Sequence, residues 1–233
     1  MPSTKPTTTR ESILHAAAVM FGDKGLVHTT TEQLIQAAGC STGTFYRCIG
    51  RKENLVHVAY EYVDEFLGHT AGRWPDHWVP TQDERYNELL GLWVGVAARA
   101  LEQPRYFYFW QQYRSSTYGE ERLREEGWVL GPFHDRVQPI LQQLLLEVPK
   151  ALEPRPVSTE LAGLLWIGQW TAVLAYSQAR AGIEIDTRLP IMAQAFQAWW
   201  MGLQLGPLPR PAAMPVVEEF PPKYGFYQAP RPR

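Results

Sequence analysis

Between positions 41 and 47 the chain reads Ser-Thr-Gly-Thr-Phe-Tyr-Arg. Small hydroxyl side chains, a glycine and a guanidinium at this spacing suit hydrogen bonding along a surface with close backbone approach. That is the chemistry of reading duplex nucleic acid, where small polar residues at the start of a helix reach base edges in the major groove. Such residues must be presented by a helix that a second helix holds in place. Ser41 is placed to cap a helix running from Thr42 to Ile49. Phe45 and Ile49, four apart, face inward. Ser41, Thr42, Gly43, Thr44 and Arg47 then form the outward set. Upstream, Thr30 with Gln33 three residues later is a capping-box pattern. Leu34, Ile35, Ala37 and Ala38 give a short apolar face, and Gly39 ends that helix because glycine accepts the left-handed conformation without a Cβ clash. Residues 30–49 therefore predict helix, glycine turn, helix.

This segment and its flanks resemble the tetracycline-repressor (TetR) family. Thr9-Arg10-Glu11-Ser12-Ile13-Leu14 through Phe21-Gly22-Asp23-Lys24-Gly25 is similar to the family's first helix and its glycine exit. Thr29-Thr30, Ala38-Gly39, Ser41-Thr42-Gly43-Thr44-Phe45-Tyr46 and Lys52-Glu53-Asn54-Leu55 follow in the family's order and spacing. The resemblance covers residues 9–58 or so. It implies phosphate contacts from Thr30, Tyr46 and Lys52, and base-edge positions for Thr42, Gly43, Thr44 and Arg47. It also implies a homodimer and an inducer pocket in the body behind the DNA-binding head. Ile35, Cys40, Thr42 and Cys48-Ile49 depart from the family's usual residues, which leaves the operator sequence and the number of phosphate contacts open.

An apolar fraction of 45% over 233 residues is ample for a buried core. No stretch has the length of a membrane-spanning helix, and MPSTKPTTTR lacks the apolar segment of a signal peptide. Two cysteines give no disulfide framework, so a cytoplasmic location is expected. Cys40 and Cys48 lie most of a helix apart, ~10–12 Å at the helical rise and beyond disulfide reach. The net charge of −2 does not announce a nucleic-acid binder. Its distribution says more. Up to residue 55, six basic residues face four acidic ones, a net +2, which leaves −4 for the rest. A mildly basic tip on an acidic body orients a protein on DNA, with backbone amides and helix N-termini supplying part of the phosphate binding.

The rest of the chain carries helical periodicity and no useful strand alternation, so the expected fold is all-α. A three-helix helix-turn-helix head with the start of a linking helix occupies 1–52, and a helical ligand-binding and dimerisation body 53–206. A proline-rich tail without regular structure occupies 207–233. Body helices are expected at about 51–68, 83–101, 104–114, an interrupted 119–148, 158–181 and 186–205, with Gly127, Gly131-Pro132 and Pro139 as the interruptions. Trp74 and Trp78 fall in a loop.

Two groups of body residues point to binding. Leu161, Leu164, Leu165, Gly168, Thr171, Ala172 and Ala175, with Phe196, Trp199 and Trp200, recur at helical spacing. Their helices are apolar around more of the circumference than one covered side needs, the pattern of a two-fold helical interface. Residues 106–114 are densely aromatic. Phe107, Trp110, Tyr113, Trp93, Trp166 and Trp170 can wall a small-molecule pocket, and Gln111, Arg114 and His134 can orient a polar group on its occupant. Burial in an ordinary core is the competing reading of each aromatic. An enzyme is not expected: His15, His28, His57, His69, His77 and His134 are scattered, and no metal cluster, phosphate loop or nucleophile elbow occurs. No cofactor and no metal are expected. The reading is a ligand-responsive repressor, a homodimer on a palindromic duplex operator released by a small hydrophobic or aromatic inducer. A DNA-binding dimer controlled by a protein partner, an activator, and more remotely an all-helical enzyme stay open.

Overall fold

Every regular element in the computed structural model, which describes residues 9–68, 82–126, 158–179 and 185–203, is an α-helix. In chain order these are α1 (Thr9–Lys24), α2 (Thr31–Ala38), α3 (Thr42–Ile49), α4 (Lys52–Gly68), α5 (Gln82–Glu102), α6 (Pro104–Arg114), α7 (Thr117–Glu126), α8 (Thr159–Ala179) and α9 (Ile185–Gly202). The all-α expectation holds. The interruptions at Gly127, Gly131, Pro132 and Pro139, the loop with Trp74 and Trp78, His134 and the proline-rich tail lie outside the described residues.

The described residues form two compact units, 9–63 with 105–126, and 64–68 and 82–104 with 158–179 and 185–203. In the first, α2 and α3 pack on α1. Ile13, Leu14, Ala17 and Phe21 of α1, Leu34 of α2, and Phe45 and Ile49 of α3 are buried together with Leu55, Val56 and Ala59 of α4. Full burial of an aromatic such as Phe21 or Phe45 stabilises by roughly 1.5–3 kcal/mol.

Helix α6 belongs to this unit too. Phe109 packs on Phe21 with ring centroids 5.2 Å apart, and Arg105 pairs with Asp23 at 2.9 Å. The pair is exposed and contributes little; packing sets the approach. A Cβ on Gly22 would run into the backbone carbonyl of Arg105, so glycine is what lets α1 and α6 come this close. Two histidine–tyrosine hydrogen bonds complete the docking: His15 to Tyr106 at 2.6 Å and His57 to Tyr113 at 2.8 Å. Tyr60 stacks on Tyr113 at 3.9 Å.

Burial, with the nearby Arg105 charge, holds His15 below its ordinary value of 6.5. Burial pushes the Tyr106 phenol far up, with Tyr62 adding to it. The fold therefore favours neutral imidazole. The unfolded chain binds a proton at higher pH than the folded one, so stability is full above about pH 6.5 and falls as pH drops towards the folded value. We expect the melting temperature to fall on acidification below pH 6.5, and His15→Gln to reduce that slope in a pH series of thermal melts.

In the second unit α5, α8 and α9 pack against one another. Buried aromatics lie between them: Trp93 from α5, Trp166 and Trp170 from α8, and Phe196, Trp199 and Trp200 from α9. The Trp170 indole N–H donates to the Trp93 carbonyl at 3.1 Å, and Gln169 donates to the Ala195 carbonyl at 2.8 Å.

Candidate nucleic-acid interface

Both ends of α2 are closed as the local chemistry demands. The Thr30 hydroxyl accepts from the Gln33 backbone N–H at 3.3 Å, and the Gln33 side chain accepts from the Thr30 backbone N–H at 3.2 Å. Gly39 sits at φ 63°, ψ 29°, and the Cys40 N–H returns to the Ile35 carbonyl at 3.3 Å. Only a residue at home in the left-handed region lets the chain leave α2 and enter α3 so soon. Ser41 then caps α3, accepting from the Thr44 N–H at 3.2 Å.

That cap aims the start of α3 outward. Ser41, Thr42, Gly43, Tyr46 and Arg47 are exposed, while Phe45 and Ile49 anchor the opposite face. The Tyr46 ring meets Phe45 edge-on at 5.6 Å and is still 51% exposed. Thr44 is half-buried, and its hydroxyl is bonded to the Ser41 hydroxyl at 2.9 Å. That contact ties Thr44 to the cap, so Thr42 and Arg47 are the side chains here with the most freedom to meet a ligand.

Gly43 is the informative residue of the set. A Cβ there would meet nothing within 4 Å, and its φ is not in the left-handed region. The fold thus gains nothing from glycine at this position, while glycine in a helix costs roughly 0.5–1 kcal/mol relative to alanine. A smooth, exposed backbone patch is what remains to explain it. Gly43→Ala should therefore raise the denaturation midpoint slightly and weaken duplex binding about tenfold, when denaturant melts and binding titrations are run on the same preparation.

Lys52, at the start of α4, donates to the Leu26 carbonyl at 3.0 Å. The bond ties the α1–α2 connection to α4 and fixes where the ammonium sits. Its remaining N–H groups are still available. Thr29 has a related role that sequence reading left unassigned: it is fully buried, and its hydroxyl donates to the Gly25 carbonyl at 2.8 Å. The Thr29-Thr30 pair after Gly25 was the available signal, one hydroxyl for each helix end. Cys40 and Cys48 are both free thiols, and burial pushes the Cys40 thiol up.

The residues proposed from sequence for a pocket divide between the units. Phe107, Trp110 and Tyr113 are buried in the first, with Gln111 half-exposed and the Arg114 guanidinium 4.5 Å from the Trp110 ring centroid. Trp93, Trp166 and Trp170 are buried in the second. His134 lies outside the described residues.

The residues proposed for a dimer face divide as well. Leu161, Leu164 and Leu165 on α8 are 45%, 42% and 44% exposed, and Gly168, Ala172 and Ala175 continue the same exposed stripe. Thr171 beside it is half-exposed, its hydroxyl bonded to the Ile167 carbonyl at 2.8 Å. Phe196, Trp199 and Trp200 do not join that stripe: they are buried inside the subunit against α5 and α8, which is where their helical spacing directs them. Among the described residues of α9, the exposed ones are Pro190, Gln194, Ala198, Met201 and Gly202. Among the described residues no helix is long and apolar enough to cross a membrane, and no three His, Cys, Asp or Glu converge as metal ligands.

Comparison with known proteins agrees with this architecture. Residues 13–59 match the family model of bacterial regulatory proteins, tetR family. The HTH-type transcriptional repressor KstR2 of Mycolicibacterium smegmatis is 31% identical over 90 residues, which span 39% of this chain and 42% of that protein. A putative tetR family transcription regulator from Shewanella sp. PV-4 superposes with a TM-score of 0.64 at 19% identity, over 84% of this chain and 97% of its own. The TetR family regulator PfmR from Thermus thermophilus gives 0.57 at 22% identity, over 88% and 100%. At these identities the superpositions establish the helical fold.

Proposed function

We propose that the chain, whose residues 13–59 match the family model of bacterial regulatory proteins, tetR family, is a TetR-family cytoplasmic transcriptional repressor, without enzymatic activity or metal, that binds an operator as a homodimer. A small hydrophobic or aromatic inducer releases it. The head reads DNA, and residues 53–206 carry the ligand and dimer functions. The observation that carries the reading is the exposed start of α3, where Gly43 has open space around it between threonines. Tyr46, Lys52 and Thr30 are assigned to phosphates, and Thr42, Gly43, Thr44 and Arg47 to base edges. Repression is favoured over activation by the relative KstR2, which is a repressor.

The exposed apolar stripe of α8 supports the dimer. Two heads related by a two-fold axis read half-sites ~34–36 Å apart, so the operator is an inverted repeat. An inducer acts by binding one arrangement of the heads better than the other, and operator affinity falls by that differential. Selection from random duplexes with the full chain tests the reading. Enrichment of an inverted repeat is expected, and a pool that stays random at low ionic strength contradicts it.

A further inference from the structure

Taking up the inducer half of the proposed function, on which this rests, we propose that the effector enters the aromatic core of the second unit and is an uncharged molecule carrying a carbonyl acceptor, such as a ketone, ester or lactone. Trp93, Trp166 and Trp199 form a triangle with ring centroids 4.7, 4.9 and 6.4 Å apart, and Phe196 lies 5.7–5.8 Å from each. Trp200 adjoins Phe196 at 6.2 Å. The indole N–H groups of Trp93, Trp199 and Trp200 are buried without a hydrogen-bond partner. The same core does satisfy Trp170, whose N–H reaches a backbone carbonyl.

An unpaired buried donor costs roughly 1–3 kcal/mol, and three around one cluster are a standing reason for an acceptor to bind. Water is a poor occupant. It can accept from two N–H groups, but its own two hydrogens then lack acceptors among these indoles. A carbonyl oxygen has two lone pairs and no hydrogens to satisfy, and its carbon skeleton matches the aromatic walls. A cation is disfavoured because burying a charge is costly and an indole N–H, a donor only, gives it no acceptor. Helix α8 presents Trp166 and Trp170 to this core and the Leu161–Leu164–Leu165 stripe outward. An occupant of the core therefore presses on the helix that carries the proposed dimer face.

The test uses the full chain and three probes on one skeleton: fluorenone (acceptor only), fluorenol (donor and acceptor) and fluorene (neither). Tryptophan quenching is expected to show fluorenone bound at least about tenfold tighter than fluorene, with fluorenol between. Trp93→Phe and Trp199→Phe should each weaken fluorenone about tenfold and leave fluorene within twofold. Should either variant fail to fold, the indole N–H resonances of the wild type serve instead, and those of Trp93 and Trp199 should move downfield with fluorenone and stay in place with fluorene. Equal affinity for all three probes, or no indole shift, overturns the carbonyl assignment. Absence of binding by every probe, with operator binding intact, overturns the site and leaves the DNA-reading proposal standing.

Discussion

Substituting glutamate for both Leu164 and Leu165 is expected to turn the protein into a monomer and to cost operator affinity about a hundredfold or more. Each leucine is a little under half exposed in the subunit, so covering it against a partner recovers about 1 kcal/mol. A two-fold interface uses each residue twice, which makes roughly 4 kcal/mol for the pair before any charge is counted. Four carboxylates brought to one apolar seam add desolvation and mutual repulsion. Neither side chain belongs to the buried core, so helical content and the melting transition should change little. Sedimentation velocity at micromolar concentration, with operator titration beside it, measures both effects. A variant that stays dimeric would move the interface elsewhere, with Met201 and Ala198 on α9 as the next surface to test.

The second large effect is at the head. Tyr46→Phe and Lys52→Met should each weaken all duplex binding uniformly, whereas Arg47→Ala should change which sequence is preferred. A hydrogen bond to a charged group contributes about 1.5–3 kcal/mol, and the two heads of the proposed dimer double it, so Lys52→Met is expected to cost two orders of magnitude or more. Its logarithmic salt slope should drop by about two, one phosphate contact per head. Because Lys52 also holds the Leu26 carbonyl, Lys52→Arg is the informative companion: charge is kept and the slope should be largely retained. Thr44→Val removes a hydroxyl already engaged with Ser41, so its effect should be mild compared with that of Arg47. Anisotropy titrations across ionic strength check each variant.

Local rules made the head legible. Thr30, Gln33, Gly39 and Ser41 act over three or four residues, so their effect can be read from spacing alone, and the structure has each cap where spacing puts it. Helix extents followed for the same reason, since Pro104 and the apolar periodicity of α5 and α8 are local signals. Long-range pairings were not legible. Nothing in the sequence marks His15 for Tyr106, 91 positions away, or Lys52 for a backbone carbonyl near residue 26. The pocket and interface residues show a further limit. Helical spacing identifies an apolar side without saying what covers it, and on α9 the subunit itself covers Phe196, Trp199 and Trp200. On α8 the two sides separate: Trp166 and Trp170 face inward and the leucine stripe outward.

Hydrogen–deuterium exchange of the full chain, free and bound to its selected duplex, tests the central claim most directly. Slowed exchange should appear at the backbone amides of 41–47, Gly43 among them, and at the start of α4 around Lys52, while the leucine stripe of α8 stays as it is in the free protein. Duplex binding that leaves 41–47 unprotected, or no binding at all at low ionic strength, contradicts the account.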